Sequence, residues 1–228
     1  MTRAEIKRNV LLRLAETPDQ GREPLFLDEA VKMAANEVAQ RTDCYQTYYA
    51  MAIDGSPTAL QEFCLPGELY KIESAKVINT DDTIEILNRQ RRQIVTRAWM
   101  DKHIPRWLST PYDTGDVRLL VLNLPKAILW PFPAYDKAAG LTLYGYATPG
   151  DAWTASAAAE ADECPLPAYS HTSVELRAAI IRATQFPTKE NLTRLPMLER
   201  DYERAVGLVA IHSRQQNADA SLYTGGMI

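Results

Sequence analysis

The residues best equipped for covalent or acid–base chemistry in this sequence are its thiols and imidazoles: Cys44, Cys64 and Cys164, with His103, His171 and His212. A cysteine beside a histidine would supply a nucleophile and its base. None of the six lies in a flanking motif that marks such a dyad. The thiols are far apart and odd in number, with no CxxC spacing, so neither a zinc ribbon nor a disulfide framework follows. They read as reduced, structural cysteines, and the histidines as surface or helix-face residues.

Two acidic groups invite a metal or acid–base reading, Asp81-Asp82 and Glu160-Ala-Asp162-Glu163; as sequence they read as a turn and a solvated linker. There is no GxGxxG, no GxxxxGK[ST], no HExxH and no GxSxG. No catalytic residue, cofactor site or metal site is therefore assigned. The one locally basic segment is Arg89-Gln-Arg91-Arg92, followed by Arg97. On a helix, positions 89 and 92 share a face. Arg89, Arg91 and Arg92 are a candidate partner-facing cluster, against a solvated helix face or contact with DNA. Trp107, Trp130, Trp153 and Tyr112 sit in or beside loops and strand ends, where core or interface anchoring is the usual role. The residues read as a binding scaffold rather than an enzyme.

The elements that hold these residues follow from periodicity. Thr2 and Glu5 have capping-box spacing, and Ile6, Val10, Leu11 and Leu14 continue a helix over about 2–16. Asp28 is expected to cap a second helix, with Val31, Ala34, Ala35 and Val38 on one face, ending near Thr42. The period then changes to alternation: strands are expected at Tyr45–Ile53, Glu62–Leu65, around Tyr70 to Val77, and at Ile84–Leu87. Asn88 can cap a short helix near 88–102, with Ile94, Val95 and Ala98 inward. Strands return at 118–124, 127–132 and 141–147, and Ala155–Ala161 reads as a small-residue linker. A helix over about 169–185 stops before Pro187, and Pro196 suits the first turn of a long last helix carrying Leu198, Tyr202, Ala205, Val209 and His212. The fold class is α+β: residues 1–43 and 165–216 form a helical bundle, and 44–164 an inserted β-rich subdomain.

Composition bounds the rest. The 228 residues are 46% hydrophobic and 24% charged, ordinary for a globular chain. With 25 basic against 29 acidic side chains the formal charge is −4, which argues against a dedicated nucleic-acid grip. It is compatible with a lumen past which DNA slides without sticking. The start, MTRAEIKRNVLLRLAE, lacks the uncharged core of a signal peptide, and no apolar run approaches the roughly 20 residues that cross a bilayer. A soluble protein made in a cytoplasm, with no membrane contact, is expected.

The order of features resembles the head-to-tail adaptor (connector) family of tailed bacteriophages. The opening helix is followed by Phe26-Leu27-Asp28-Glu29-Ala30 leading to Asn36-Glu37-Val38-Ala39, then Tyr45–Ile53, then Phe63-Cys64-Leu65-Pro66 before Tyr70-Lys71-Ile72. Pro105-Arg106-Trp107 is similar to the family's Pro-Gly-Trp, with arginine where glycine is commoner. Leu141–Pro149 resembles its strand-plus-proline, and Cys164-Pro-Leu-Pro-Ala-Tyr169 leading to Ala178–Ala183 its proline–helix junction. The alanine-rich stretch before Cys164 departs from the pattern. The likeness covers about residues 3–216, and its weight lies in the order of motifs that are individually weak. It implies a helical bundle with a β-domain insertion, twelve copies in a ring beneath the portal protein, and a channel that passes genomic DNA toward downstream tail or neck proteins. It also implies assembly in the bacterial host's cytoplasm and a final place in the neck of the virion.

Residues 217–228 lack any period and are expected to form an extended tail. Their Leu222, Tyr223, Met227 and Ile228 suit a segment that orders on a neighbouring subunit. Relatives whose C-terminal tails reach the portal imply the portal as its other seat. Two alternatives remain open: a head-closure or tail-completion neck protein, and, from a different class, a small-molecule enzyme with an unrecognised site.

Overall fold

Thr2 and Glu5 close the reciprocal cap that their spacing predicts: Thr2 Oγ1 accepts from the Glu5 amide (3.3 Å), and the Thr2 amide donates to Glu5 Oε2 (2.7 Å). This is seen in a computed structural model, which describes residues 1–16, 24–55, 60–109, 113–150 and 162–224. The expected order of helices, β-rich insertion and helices is the order observed. The chain divides into two compact units, one of Met1–Tyr45 with Ala147–Ile228, the other Gln46–Tyr146.

The first unit is a helical bundle of α1 (Arg3–Leu14), α2 (Pro24–Thr42), α4 (His171–Gln185) and α5 (Lys189–Thr224), with a 3₁₀ turn at Ala168–Ser170 leading into α4. Residues three or four apart supply its core: Ile6, Val10 and Leu14 from α1, Val31, Ala34, Ala35 and Val38 from α2, Val174 and Ala178 from α4, and Leu198, Tyr202 and Val209 from α5. Ala30, Ala34, Ala178 and Ala179 are fully buried, and such small side chains let α2 and α4 pack closely. The N-terminus is tied down by Arg3 N–H to the Asp162 carbonyl (3.1 Å) and Cys164 N–H to the Met1 carbonyl (2.9 Å).

Three expectations for the helices need correction. Asp28 caps nothing, because α2 begins at Pro24, a residue suited to a first helical turn; Asp28 instead pairs with Arg3 (2.6 Å) and with Lys7. Pro196 lies inside α5, which starts at Lys189 with the Thr188 hydroxyl accepting from the Asn191 amide (3.1 Å). Leu192, whose carbonyl Pro196 cannot satisfy, is exposed, so solvent can serve it. Finally, α5 does not stop at Gln216: the backbone is helical to Thr224, so most of the expected extended tail is helix.

The second unit holds two four-stranded sheets, ordered β1-β8-β3-β4 and β2-β7-β6-β5. The strands are β1 (Gln46–Ile53), β2 (Phe63–Cys64), β3 (Leu69–Ile78), β4 (Ile84–Asn88), β5 (Ile94–Thr96), β6 (Leu119–Asn123), β7 (Lys126–Trp130) and β8 (Lys137–Ala147). A shared core joins them, with Leu87, Leu141, Leu143 and Val77 from the first sheet and Phe63, Leu120, Ala127 and Leu129 from the second. The far face of the second sheet is covered by α3 (Arg97–His103) and its neighbourhood, where Met100, Trp107, Val121, Ile128 and Phe132 cluster.

The helix expected near 88–102 is a turn, a strand and a short helix. Asn88 does accept from a following amide, Gln90 N–H at 2.7 Å, but this closes a tight turn in which Arg92 is left-handed (φ 58°). Ile94 and Val95, β-branched and adjacent, pair in parallel with Leu120 and Val121, and α3 is capped later by Thr96 Oγ1. The insertion is also tighter than 44–164. The Ala147 amide donates to the Tyr45 carbonyl (3.1 Å), and Ala147–Gly150 and Asp162–Cys164 belong with the helices. The linker at Ala155–Ala161 lies outside the described residues. Among the described residues, no helix is long and apolar enough to cross a membrane.

Candidate interaction surface

The structure places the candidate nucleophiles in separate surroundings. Cys44 and Cys164 are buried in the bundle core, and burial pushes both thiols up, Cys164 to about 11. Cys64 is exposed on β2. The His171 Nε2–H donates to the Leu166 carbonyl (2.9 Å), which positions the turn before α4. His103 donates from Nδ1 to the Trp99 carbonyl (2.9 Å) and stacks on the Trp99 ring at 4.3 Å. His212 is exposed on α5, as a surface or helix-face histidine would be, with its ring 5.7 Å from that of Tyr169; the buried position on this turn is Ser213, which donates to the Asp43 carbonyl (2.7 Å). Among the described residues no thiol is hydrogen-bonded to an imidazole, and no three His, Cys, Asp or Glu side chains gather as a metal site.

Asp81 and Asp82 build a turn, as their sequence predicts. Asp81 Oδ1 accepts from the Thr83 hydroxyl (2.6 Å) and amide (3.1 Å), and these bonds hold its carboxyl below the usual range. Asp82 receives Lys137 Nζ at 2.5 Å. Glu160 lies outside the described residues, and Asp162 and Glu163 are exposed.

Charges that the periodicity did not single out pin the bundle. Glu175, deep on α4, takes Arg13 from α1, with Asn9 Nδ2 at 2.6 Å on its other oxygen. Arg182 Nε donates to Glu16 (2.8 Å), whose second oxygen accepts Asn191 Nδ2 (3.1 Å). Arg41 and Arg177 both lie over the Tyr202 ring, at 5.2 and 5.5 Å from its centroid. Arg41 also donates twice to Glu203, and Arg177 Nε donates to Glu37 (2.6 Å). Burial pushes the Tyr202 hydroxyl up to about 12. These pairs span α1, α2, α4 and α5, and their chemistry is that of struts.

Two groups of outward-facing residues stand out, one basic and one apolar. Arg89, Arg91 and Arg92 are not on a helix face; they crown the turn between β4 and β5, all exposed and without an ion pair among the described residues. The turn is held by Gln90 N–H to Asn88 Oδ1, Arg92 N–H to the Arg89 carbonyl (3.1 Å) and Gln93 N–H to the Asn88 carbonyl (3.2 Å). The outer face of the first sheet carries Tyr48 and Tyr144, rings 6.3 Å apart, with Ile84 and Ile86 on β4. Tyr48, Ile84 and Ile86 are 67%, 55% and 59% exposed. The far face of the second sheet is covered, whereas this one presents large apolar side chains to solvent. Of the tail residues, Leu222 and Tyr223 fall on the helical backbone of α5, and Met227 and Ile228 lie outside the described residues. Trp107 is buried, its indole N–H donating to Asp101 Oδ1 (2.8 Å) and its ring stacked on Phe132; Trp153 and Tyr112 lie outside the described residues.

No family model and no curated protein matches the chain.

Proposed function

We propose that this chain is a structural subunit of a tailed-phage virion: a head-to-tail adaptor that forms a ring beneath the portal and extends the DNA channel toward the tail. The observation that carries the reading is the nesting of the two units. Helices from both ends of the chain make one bundle, and a β-rich unit is inserted between them, the arrangement that the likeness to the adaptor family implies. A local detail points the same way. Arg106 takes the left-handed conformation (φ 68°) that glycine adopts freely, which gives a physical reason for a glycine between the proline and tryptophan in the family's motif.

Such a protein works by geometry, through rotational assembly and a lumen, with no turnover and no cofactor. The exposed apolar sheet face offers contact area, and the arginine turn offers an electrostatic handle for an acidic patch on a neighbour, portal or neck protein. The C-terminal end of α5, with the four apolar residues Leu222, Tyr223, Met227 and Ile228 on and beyond it, is the segment assigned to the portal or to the next subunit.

The test is to mix the purified chain with portal rings, sediment the mixture and image the pellet. A ring of this subunit on one end of the portal is expected. Deletion after Gln216 should leave a folded chain that co-sediments less. A chain that ignores portal but joins tail-tube protein would be a head-closure or tail-completion protein instead. A defined turnover abolished by changing one cysteine to serine would replace the scaffold with an enzyme.

A further inference from the structure

Among the described residues no strand pairs with the outer edge of β1 or of β4, and the phase of their hydrogen bonds can be read. In an antiparallel ladder, pairs that exchange both backbone bonds alternate with pairs that exchange none, and the latter turn their N–H and C=O groups to the opposite side. The Ala147 amide donates to the Tyr45 carbonyl, and Gln46 stands opposite Tyr146, so Thr47/Gly145, Tyr49/Leu143 and Met51/Leu141 are the bonded pairs. Tyr48 and Ala50 therefore aim their backbone groups away from β8. Ala52 continues the phase, and its carbonyl is capped by Gln61 Nε2 at 3.2 Å.

On β4 the same reasoning starts from Asn79 N–H to the Thr83 carbonyl and Arg89 N–H to the Glu73 carbonyl. With Ala75 opposite Leu87 and Val77 opposite Glu85, Ile84 and Ile86 turn outward. So does Asn88, whose amide and carbonyl are both taken by Gln93. Among the described residues, nothing meets the outward backbone groups of Tyr48 and Ala50 on one edge or of Ile84 and Ile86 on the other.

Proteins that remain single usually block such edges with lysine, proline, a bulge or an outward charge. Gln46–Ile53 contains no charged residue and no proline, and its irregularity comes only between Met51 and Ile53, past the open stretch. The one charge in Ile84–Asn88, Glu85, is on the opposite face from Ile84 and Ile86. These edges lack the devices that keep a monomer apart.

We infer that the two edges are each other's partners in neighbouring copies: β1 of one subunit pairs with β4 of the next, so that the sheet runs on from copy to copy. Each edge offers two outward residues spaced by two, so donors and acceptors match in number. One copy cannot use both edges on itself. Pairing β1 with β1 would leave β4 open in both copies, whereas head-to-tail pairing satisfies every edge once the ring closes. Pairing also sets Ile84 and Ile86 beside Tyr48 and Ala50, an apolar cross-strand match on the exposed face. The inference deepens the adaptor reading by assigning the joint between subunits, and rests on it for closure into a ring.

The experiment measures the mass of the full chain in solution, without portal, by light scattering and sedimentation. Ala50→Pro and Ile86→Pro each remove an outward N–H while sparing the ladders to β8 and β3. Tyr48→Lys and Ile86→Lys, at exposed side chains, serve should a proline variant fail to fold, and circular dichroism reports folding for all four. The unaltered chain is expected to be a multimer, and each variant alone to fall to the mass of one chain. A50P keeps β4 and I86P keeps β1, so an equal mixture of the two should recover pairs. An unaltered chain at the mass of one chain, or multimers that survive every substitution, overturns the pairing. Loss with A50P and Y48K but not with I86P and I86K would mean that β1 pairs with β1, which overturns it too. Multimers that ignore portal defeat the adaptor reading alone, and portal binding by a chain that stays single defeats the edge pairing alone.

Discussion

Arg13 holds the carboxylate of Glu175 with two nitrogens of its guanidinium, Nε at 3.2 Å and Nη2 at 2.6 Å, and the Glu175 side chain is only 4% exposed. The pair bolts α1 to α4 across most of the chain's length. Removing one partner of a buried pair strands the other, typically at a cost of about 3–5 kcal/mol. Arg13→Ala is expected to lower the unfolding free energy by about 3 kcal/mol, because Asn9 still serves one oxygen. Urea unfolding curves decide it: a loss under about 1 kcal/mol would show that the bundle does not need this bolt.

Arg41 and Glu203 make an outer strut whose strength should depend on pH. The hydrogen bonds from Arg41 hold the Glu203 carboxyl below the usual glutamate range. A carboxyl held low when folded binds its proton more weakly there than in the unfolded chain. Its contribution is therefore whole above the ordinary glutamate value and is lost as the pH falls through the lowered one. Glu203 is 62% exposed, so screening keeps the contribution under about 1 kcal/mol. The stability of Glu203→Gln should lie slightly below that of the unaltered chain at neutral pH, and the two should converge in acid. A gap that widens in acid would contradict the assignment.

The three thiols should react in order of exposure. Cys64 is expected to take up iodoacetamide in the folded protein, whereas Cys44 and Cys164, buried and with thiols pushed up, should be modified only on unfolding. Peptide mapping after a brief exposure distinguishes them. Rapid native labelling of Cys164 would place it at the surface.

Arg106 should be replaceable by glycine with profit. A residue other than glycine at φ 68° carries strain of order 1 kcal/mol, and Arg106 is exposed, with no ion pair among the described residues to lose. Arg106→Gly is expected to raise the midpoint of thermal unfolding slightly or leave it unchanged, whereas Arg106→Val, β-branched and ill-suited to this region, should lower it. A clear destabilisation by glycine would mean that the arginine side chain carries a contact of its own.

The elements that sequence made legible are those whose side chains report their own surroundings. Ile6, Val10 and Leu14 recur along one helix face, and Tyr45 to Ile53 alternate along a strand with one face outward, so each pattern is local. The misses are places where a distant partner decides. Ile94 and Val95 fit a helix by spacing and become a strand because Leu120 and Val121 lie alongside. The last turns of α5 have no apolar period to announce them, only residues with fair helical propensity such as the alanines at 218 and 220. The buried carboxylate of Glu175 is not legible for the same reason, since Asn9 and Arg13 stand 166 and 162 residues from it. Of the surface residues, the arginine cluster is legible as a local run of like charge, whereas its turn is not, because spacing alone fits a helix as well. The open edges of β1 and β4 become visible only when the order of strands is known.

The hydrogen bond from Ala147 to Tyr45 bears on the order in which the chain folds. Every contact between α1 or α2 and α4 or α5 closes a loop that contains the whole β-rich unit, and closure of a long unstructured loop is slow and entropically costly. Once Gln46 is registered against Tyr146, the two ends of that loop are already neighbours. The β-rich unit then acts as an internal splint, bringing the severed halves of the bundle into range of each other. Substitutions that weaken the β1–β8 ladder should slow assembly of the bundle, although they touch none of its core.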